Sequence, residues 1–423
     1  MNASPFHIAL VSPAYSPLPG GGERYVAALA RGLVAAGAQV TVVTSAATAE
    51  TDFWNGVETH TESDEAGVRV IRLPILPAAG GRDALMRHRR LMVLLSAMPG
   101  DQSSMLAGMA RRFPAIDGLD AALDSLRGVD VVHGFNISWE HGLVAAHEYS
   151  RRAAIPLIIT PFAHLDESSL GRVARNSTMN HQLRLLRDAA RVLVLTRLEA
   201  DGLARYHILR ERLEVIGSGV DPIPSDYAES PYFSPEHPEA RGDFGVYIGR
   251  QSFDKGALHA ADAIRSLRQR GRDIALLLIG SPTPEFERYR RRLSPEDRAA
   301  IRPLGILSDR DKHAVLSRAR FLMLPSRADS FGIVLLEAWS HGVPVVAARA
   351  GGIPGVVDDG ANGLLAPFAD VDGLANAAGC LITDEVFARR IGDAGRDKVL
   401  AQYSWNVVAE RALGVYRRVL GMP

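Results

Sequence analysis

The sequence predicts an α/β protein made of two doubly wound, Rossmann-like domains that share a ligand cleft. Three observations carry this expectation. Short apolar runs of strand type alternate with segments of helical period along most of the chain, the pattern of a parallel sheet covered on both faces. That alternation lapses at 222–241 (PIPSDYAESPYFSPEHPEAR), which is rich in proline, serine and acids and reads as a linker. The length, 423 residues, exceeds what one hydrophobic core usually supports. The expected division is 1–222, a linker at 223–242, a second domain at 243–403 and a final amphipathic helix at 404–423, with ligands at the carboxyl ends of the strands.

Taken in order, the first strand is expected at 7–12. It runs into PAYSPLPGGGERY, where Gly20, Gly21 and Gly22 precede a helix over 23–36 that Gly37 stops; the next strand is 39–44. Glycines here let backbone approach a phosphate or a sugar at a helix start. They do not form G-x-G-x-x-G, which argues against a nicotinamide cofactor. Further strands are expected at 68–73, 129–133, 155–160, 191–195 and 213–217, with helices such as 140–152 and 183–190 between them. Between 80 and 127 the rhythm fails. RDALMRHRRLMVLLSAM interleaves arginines with a Leu/Met face, which reads first as an inserted helix with its arginines in water. The second reading is a basic amphipathic helix over 82–112 that docks on a membrane or a lipid-linked acceptor.

Beyond the linker, strands are expected at 244–249, 274–280 and 301–304 and helices at 257–269, 285–293 and 309–319. Gly249-Arg250 leaves a strand tip and Lys255-Gly256 opens the next helix. Two cations converging there suit a departing diphosphate, whose oxygens gain charge in the transition state; the plainer account is surface charge beside Asp254. The segment 321–347, FLMLPSRADSFGIVLLEAWSHGVPVVA, is a strand, a polar loop, a helix from Phe331-Gly332 to His341-Gly342 and another buried strand. It places the carboxylates Asp329 and Glu337 around a helix start, where unpaired N–H groups attract anions. An anion site with carboxylates for hydroxyl groups points to a sugar nucleotide. Gly351-Gly352, before Ile353-Pro354, again suggests close backbone approach beside it. His164, just past a strand end, is a candidate for a sugar hydroxyl. His133 is a weaker one, and Asp166 and Glu167 fit an acceptor side or helix capping equally. Asp370 and Asp372 have D-x-D spacing but sit before a helix, so capping accounts for them.

Composition narrows the field. Zero net charge gives no general attraction to nucleic acid or anionic lipid. The single cysteine, Cys380, forms no intrachain disulfide, in keeping with a reducing cytoplasm, and no apolar run is long enough to span a bilayer. The N-terminus enters a strand directly and is not read as a signal peptide. Only three of the 48 basic residues are lysines: Lys255, Lys312 and Lys398. No concentrated metal-ligand cluster is present, so neither an essential metal nor another cofactor is expected.

These segments together resemble the retaining glycosyltransferases of family 4, which have the GT-B fold. The resemblance rests on PAYSPLPGGGERYVAALARGLVAAGAQVTVVT, VIGSGVD, YIGRQSFDKG, LPSRADSFGIVLLEAWSHGVPVVA with GGIPGVVDDGANGLL, and the terminal YSWNVVAERALGVYRRVL. It implies that Arg250 and Lys255 bind the diphosphate of a nucleoside diphosphate sugar, Glu337 the ribose hydroxyls and Asp329 the donor sugar. Backbone at Gly21, Gly22, Gly249, Ser330, Phe331, Gly332, Ile333 and Val334 would hold phosphates and sugar, and His164 is the candidate donor-sugar histidine. The last helix would cross back to the first domain. The implied reaction is hexosyl transfer, with retention and without metal, to a glycan, lipid-linked or small-molecule hydroxyl. Two departures stand out: Asp329 occupies a position where the family has glutamate, and Gly355 replaces a common glutamate. They keep two other readings open, a hydrolase or epimerase of the same fold and a non-catalytic sugar-nucleotide-binding partner.

Overall fold

Strand β1 (His7–Val11) is buried along its whole length, as expected for the middle of a sheet covered on both faces. The computed structural model describes residues 6–18, 20–163, 165, 174–327 and 329–422. The chain divides into two units, Met1–Ser218 with Trp405–Pro423, and Gly219–Ser404.

In the first unit β1 lies between β2 (Gln39–Ser45) and, later in the chain, β5 (Val131–Phe135). β3 (Thr61–Glu65) and β4 (Val68–Leu73) extend one side, and β6 (Leu157–Thr160), β7 (Arg191–Val194) and β8 (Leu213–Val215) the other. The order is β3-β4-β2-β1-β5-β6-β7-β8. All neighbours are parallel except β3, which is antiparallel to β4. The sequence reading missed β3 because its residues, TESDE, offer no apolar alternation. A five-residue antiparallel ladder to β4 holds it, accompanied by the cross-strand charge pairs Arg69 to Glu62 and Arg72 to Glu65, both at 2.6 Å.

Where the β/α rhythm fails, the chain forms three helices, Gly81–Ser96, Ser103–Ala110 and Leu119–Ser125. The first turns Leu85 and Met92 inward, and Arg82, Arg87 and Arg90 are exposed as the plainer reading expects. Arg89 is the exception. It is buried against Glu140, which also accepts from Gln182 Nε2 at 2.7 Å. His133 is a core residue as well. Its ring nitrogens meet Tyr416 Oη at 2.7 Å and Thr160 Oγ1 at 2.8 Å, and burial drives its pKa down to about 3. The helix Trp405–Leu420 lies on the helix Gly21–Ala35; a Cβ at Gly32 would stand 2.7 Å from Ala409 Cβ.

Glu199, 3% exposed, accepts the N–H groups of Ala163 and Leu195, each at 2.8 Å, and so ties together the chain leaving β6 and β7. Burial pushes its carboxyl from 4.5 up to about 7. Between those values the folded chain holds a proton that the unfolded chain has lost, so this group makes stability fall as pH rises through the window, by on the order of 3 kcal/mol. Urea midpoints at pH 5 and pH 7.5 should show that decline in the native protein and a flatter profile in Glu199→Gln.

The second unit is a parallel six-stranded sheet of β9 (Phe244–Ile248), β10 (Ala275–Ile279), β11 (Ile301–Gly305), β12 (Phe321–Leu324), β13 (Val345–Ala348) and β14 (Leu364–Ala366), ordered β11-β10-β9-β12-β13-β14. The sequence expected one helix over 285–293; two form, Pro284–Arg291 and Pro295–Ala300. Each has proline in its first turn and a hydroxyl cap, from Thr283 and Ser294. The stretch expected as a linker belongs to this unit and carries three 3-10 turns. Ser230 Oγ donates to Asp311 at 2.7 Å and Arg318 donates to the carbonyl of Ser234 at 2.8 Å, fixing that stretch to the helix Asp309–Arg318. The unit's ends meet: Val220 N–H donates to the Tyr403 carbonyl at 2.9 Å, and Val220 bridges Ser404.

Candidate functional site

β9 and β12 are neighbours in the middle of the second sheet, so the loops leaving their carboxyl ends lie side by side. From β9 the chain passes Gly249 and Arg250 to Lys255 and Gly256, the residue before the helix Ala257–Gln269. From β12 it passes Pro325 to Asp329 and on to the helix Ile333–Ser340. Lys255 Nζ lies 3.0 Å from Asp329 Oδ1, which joins the two loops through a half-buried ion pair. Asp254, weighed as a partner for Arg250 and Lys255, instead pairs with Arg327 at 2.6 Å, and its carbonyl accepts the Arg327 N–H. Arg250 itself is exposed.

Tyr247, one residue before the end of β9, is fully buried, and its hydroxyl lies 2.8 Å from the Arg250 carbonyl and 3.2 Å from that of Lys255. It braces the turn that presents both cations. Burial, and then the charge of Asp329, raises its phenol well above the usual range, so it is a donor and not an acid. The sequence reading did not single it out.

Two glycines set how closely these loops pack. Gly256 has φ +78, and a Cβ there would stand 2.1 Å from the Pro325 carbonyl oxygen. Gly352 donates its N–H to the Asp329 carbonyl at 2.7 Å, and its Cβ would stand 1.9 Å from the Ser330 oxygen. Gly351-Gly352 thus lies against the backbone of Asp329 and Ser330, a packing contact within the unit. Gly256→Ala combines a backbone clash with left-handed strain and should cost about 2–4 kcal/mol. Gly271→Ala, at φ +83 with open space around it, should cost only about 1 kcal/mol. Chemical denaturation of the pair measures the difference.

Gly332, at φ +80, precedes the helix Ile333–Ser340, whose first-turn N–H groups at Ile333 and Val334 have no acceptor within their own helix. Phe331 is buried and Ser330 half-buried beside them. Glu337 is inside this helix with its side chain 8% exposed. Its Oε1 lies 2.7 Å from Lys312 Nζ, and Lys312 also reaches Asp309 at 2.9 Å. Sequence reasoning counted Lys312 as a rare lysine and gave it no role. Its rarity was the one available signal, since nothing in helical periodicity shows a pairing across 25 residues.

Of the other candidates, Gly21 and Gly22 open the helix Gly21–Ala35 of the first unit, which begins two residues earlier than the expected start at Glu23. His164, Asp166 and Glu167 lie outside the described residues. Asp370 caps the helix Val371–Thr383 through Gly373 N–H, and Asp372 pairs with Arg270, which accounts for the D-x-D spacing.

Both the sequence and the fold of this chain have known relatives. Residues 244–384 match the family described as Glycosyl transferases group 1, and residues 20–219 match the glycosyl transferase 4-like domain. Alpha-maltose-1-phosphate synthase of Mycobacterium tuberculosis is 29% identical over 351 residues, covering 72% of this chain and 86% of that one. Among solved structures, sucrose-phosphate synthase from Thermosynechococcus elongatus superposes with a TM-score of 0.70 at 21% identity, over 98% of this chain and 99% of that one. HepE of Anabaena, solved with UDP and glucose, superposes with a TM-score of 0.68 at 19% identity, over 97% and 98%. Two family matches that together take in most of both sheets, with full-length structural likeness, lead to one conclusion: the chain belongs to the group 1 glycosyltransferases and has the GT-B fold.

Proposed function

We propose that the second unit binds a nucleoside diphosphate sugar and that the enzyme transfers its hexosyl group to an acceptor hydroxyl with the anomeric configuration retained. The observation that carries this is the pairing of Lys255 with Asp329 and of Lys312 with Glu337 around the start of one helix. Arg250 and Lys255 take the diphosphate, the N–H groups at Ile333 and Val334 add partial positive charge, and Glu337 takes the ribose hydroxyls. Asp329, already holding Lys255, accepts a hydroxyl of the sugar. Its reach is one methylene shorter than glutamate's, which makes it the residue on which sugar choice turns. His164 and the backbone of Gly21 and Gly22, in the first unit, keep the sugar and phosphate roles that the resemblance implies.

In the transfer step the bond from the anomeric carbon to the phosphate oxygen breaks and its electron pair stays on that oxygen. A bond to the acceptor oxygen forms on the same face, and the acceptor proton passes to the departing phosphate. Arg250 and Lys255 offset the charge that develops there, so the step needs no metal and no protein base. The support is chemical, in the cations at the diphosphate position, and comparative, in the UDP and glucose bound by HepE.

The test is a thermal-shift screen of UDP-, GDP- and ADP-sugars, since a cognate donor raises the melting temperature by mass action. Product analysis with the stabilising donor follows, reading the anomer by its NMR coupling. A stabilising donor and an α-linked product from an α-donor support the reading. Donor consumed without acceptor product would mean a hydrolase, and binding without turnover a non-catalytic partner.

We also propose contact with anionic lipid through residues 82–112. On the helix Gly81–Ser96, exposed Arg82, Arg87 and Arg90 accompany Leu91 at 48% and Leu94 at 68% exposure, the composition of an interfacial helix. No helix among the described residues is long and apolar enough to cross a membrane. Co-sedimentation with phosphatidylglycerol vesicles, lost in Leu94→Asp, checks it; equal sedimentation of both proteins would refute it.

A further inference from the structure

Lys312 is one of three lysines in the chain and is 7% exposed, in a protein whose other cations are nearly all arginines in contact with solvent. Its ammonium lies between two carboxylates on different turns of structure. Asp309 is on its own helix, Asp309–Arg318, and Glu337 is on the helix Ile333–Ser340. The mount is rigid. Ser308 caps the lysine's helix by accepting the Asp311 N–H, Ser230 Oγ donates to Asp311 Oδ1, and Arg318 donates to the carbonyls of Tyr232 and Ser234. A well-packed apolar pair could join the two helices without the desolvation that a buried ion pair incurs, so the pair is poorly explained by stability alone.

An ammonium does one thing that a methyl group cannot. It engages Oε1 of Glu337 at 2.7 Å from a neighbouring helix and so holds the carboxylate in one orientation. A vicinal diol offers two O–H donors from adjacent carbons and matches such a carboxylate; a single hydroxyl matches it by half. We propose that Lys312 is the positioning residue that sets Glu337 for the ribose diol, and that through it the enzyme separates ribonucleotide from 2′-deoxynucleotide donors. The inference rests on the reading of Glu337 as the ribose-binding carboxylate.

The experiment measures calorimetric Kd values for UDP, ADP and GDP and for the 2′-deoxy form of whichever binds. It compares the native protein with Lys312→Met, Lys312→Arg and Glu337→Ala, and adds donor KM and kcat for the matching sugar. Lys312→Met should weaken the ribonucleotide by about tenfold or more and the 2′-deoxy form far less, so that their ratio falls towards one. The donor KM should rise while kcat at saturation stays within about threefold, and Lys312→Arg should restore most of the discrimination. A folded Lys312→Met with the native ribo-to-deoxy ratio would overturn the proposal and leave Lys312 a structural residue. A native ratio in Glu337→Ala would instead overturn the ribose reading itself, which separates the two failures. If Lys312→Met does not fold, the comparison passes to Glu337→Gln with and without Lys312→Met. Equal ratios in those two support action through Glu337, and a further fall on losing the lysine refutes it.

Discussion

Lys255→Ala should lower kcat by about a hundred- to a thousandfold, the usual loss when one group facing developing negative charge is removed. The effect belongs to the transition state, where the phosphate oxygen gains charge, so donor KM should change less than kcat. Folding should hardly be affected. The Lys255–Asp329 pair has side chains 32% and 22% exposed, and a pair so open to solvent contributes on the order of 1 kcal/mol at most. Lys255→Arg keeps the charge but spreads it over a planar fork and should recover only part of the rate. Single-turnover kinetics with a saturating donor, beside a urea melt, measures both quantities. A kcat near the native value in Lys255→Ala would remove the lysine from the reaction.

Glu337→Ala should act on binding first. A hydrogen bond to a charged group contributes about 1.5–3 kcal/mol, so donor affinity should fall by about ten- to a hundredfold. Here stability does enter. Lys312 would lose its buried partner and keep only Asp309, whose side chain is 53% exposed, and about 1–3 kcal/mol of folding stability should go with it. Glu337→Gln retains an acceptor oxygen and should fall between. Calorimetry with UDP, ADP and GDP and a denaturant melt on the same samples separate the two losses. Near-native turnover in both Lys255→Ala and Glu337→Ala would sink the donor-site assignment as a whole.

The parts of the fold legible in the sequence were those where a single physical signal decides. β1, β9 and β12 are apolar runs that end at glycine, proline or a polar loop, and such runs have few alternatives in an α/β chain. β3 gave no such signal, because its residues are polar throughout and it is held by a backbone ladder to β4 that tertiary structure alone brings into register. Between 81 and 125 the sequence offered one amphipathic helix, over 82–112, where three form, since short helices broken by Pro99-Gly100 and Pro114 leave little periodicity to count. At the candidate site the motif residues were legible as types at fixed spacing. Their partners were not: Lys255 with Asp329 and Arg327 with Asp254 join different loops, and Tyr247 reads in sequence as one more apolar strand residue. Asp254 shows the limit well, being next to Lys255 in sequence and bonded to Arg327 in the fold.

One feature of the chain's path has a practical outcome. Because Trp405–Pro423 returns to the first unit, residues 219–404 are an insertion whose entry and exit are zipped together by Val220 with Tyr403 and Ser404. Segments with adjoining ends can be excised without leaving a stretched or open terminus. The insertion carries its own six-stranded core together with Arg250, Lys255, Lys312, Asp329 and Glu337. Expressed as a separate polypeptide of those residues, it should fold and bind the nucleotide without the first unit, giving a minimal module in which nucleotide recognition can be studied apart from transfer.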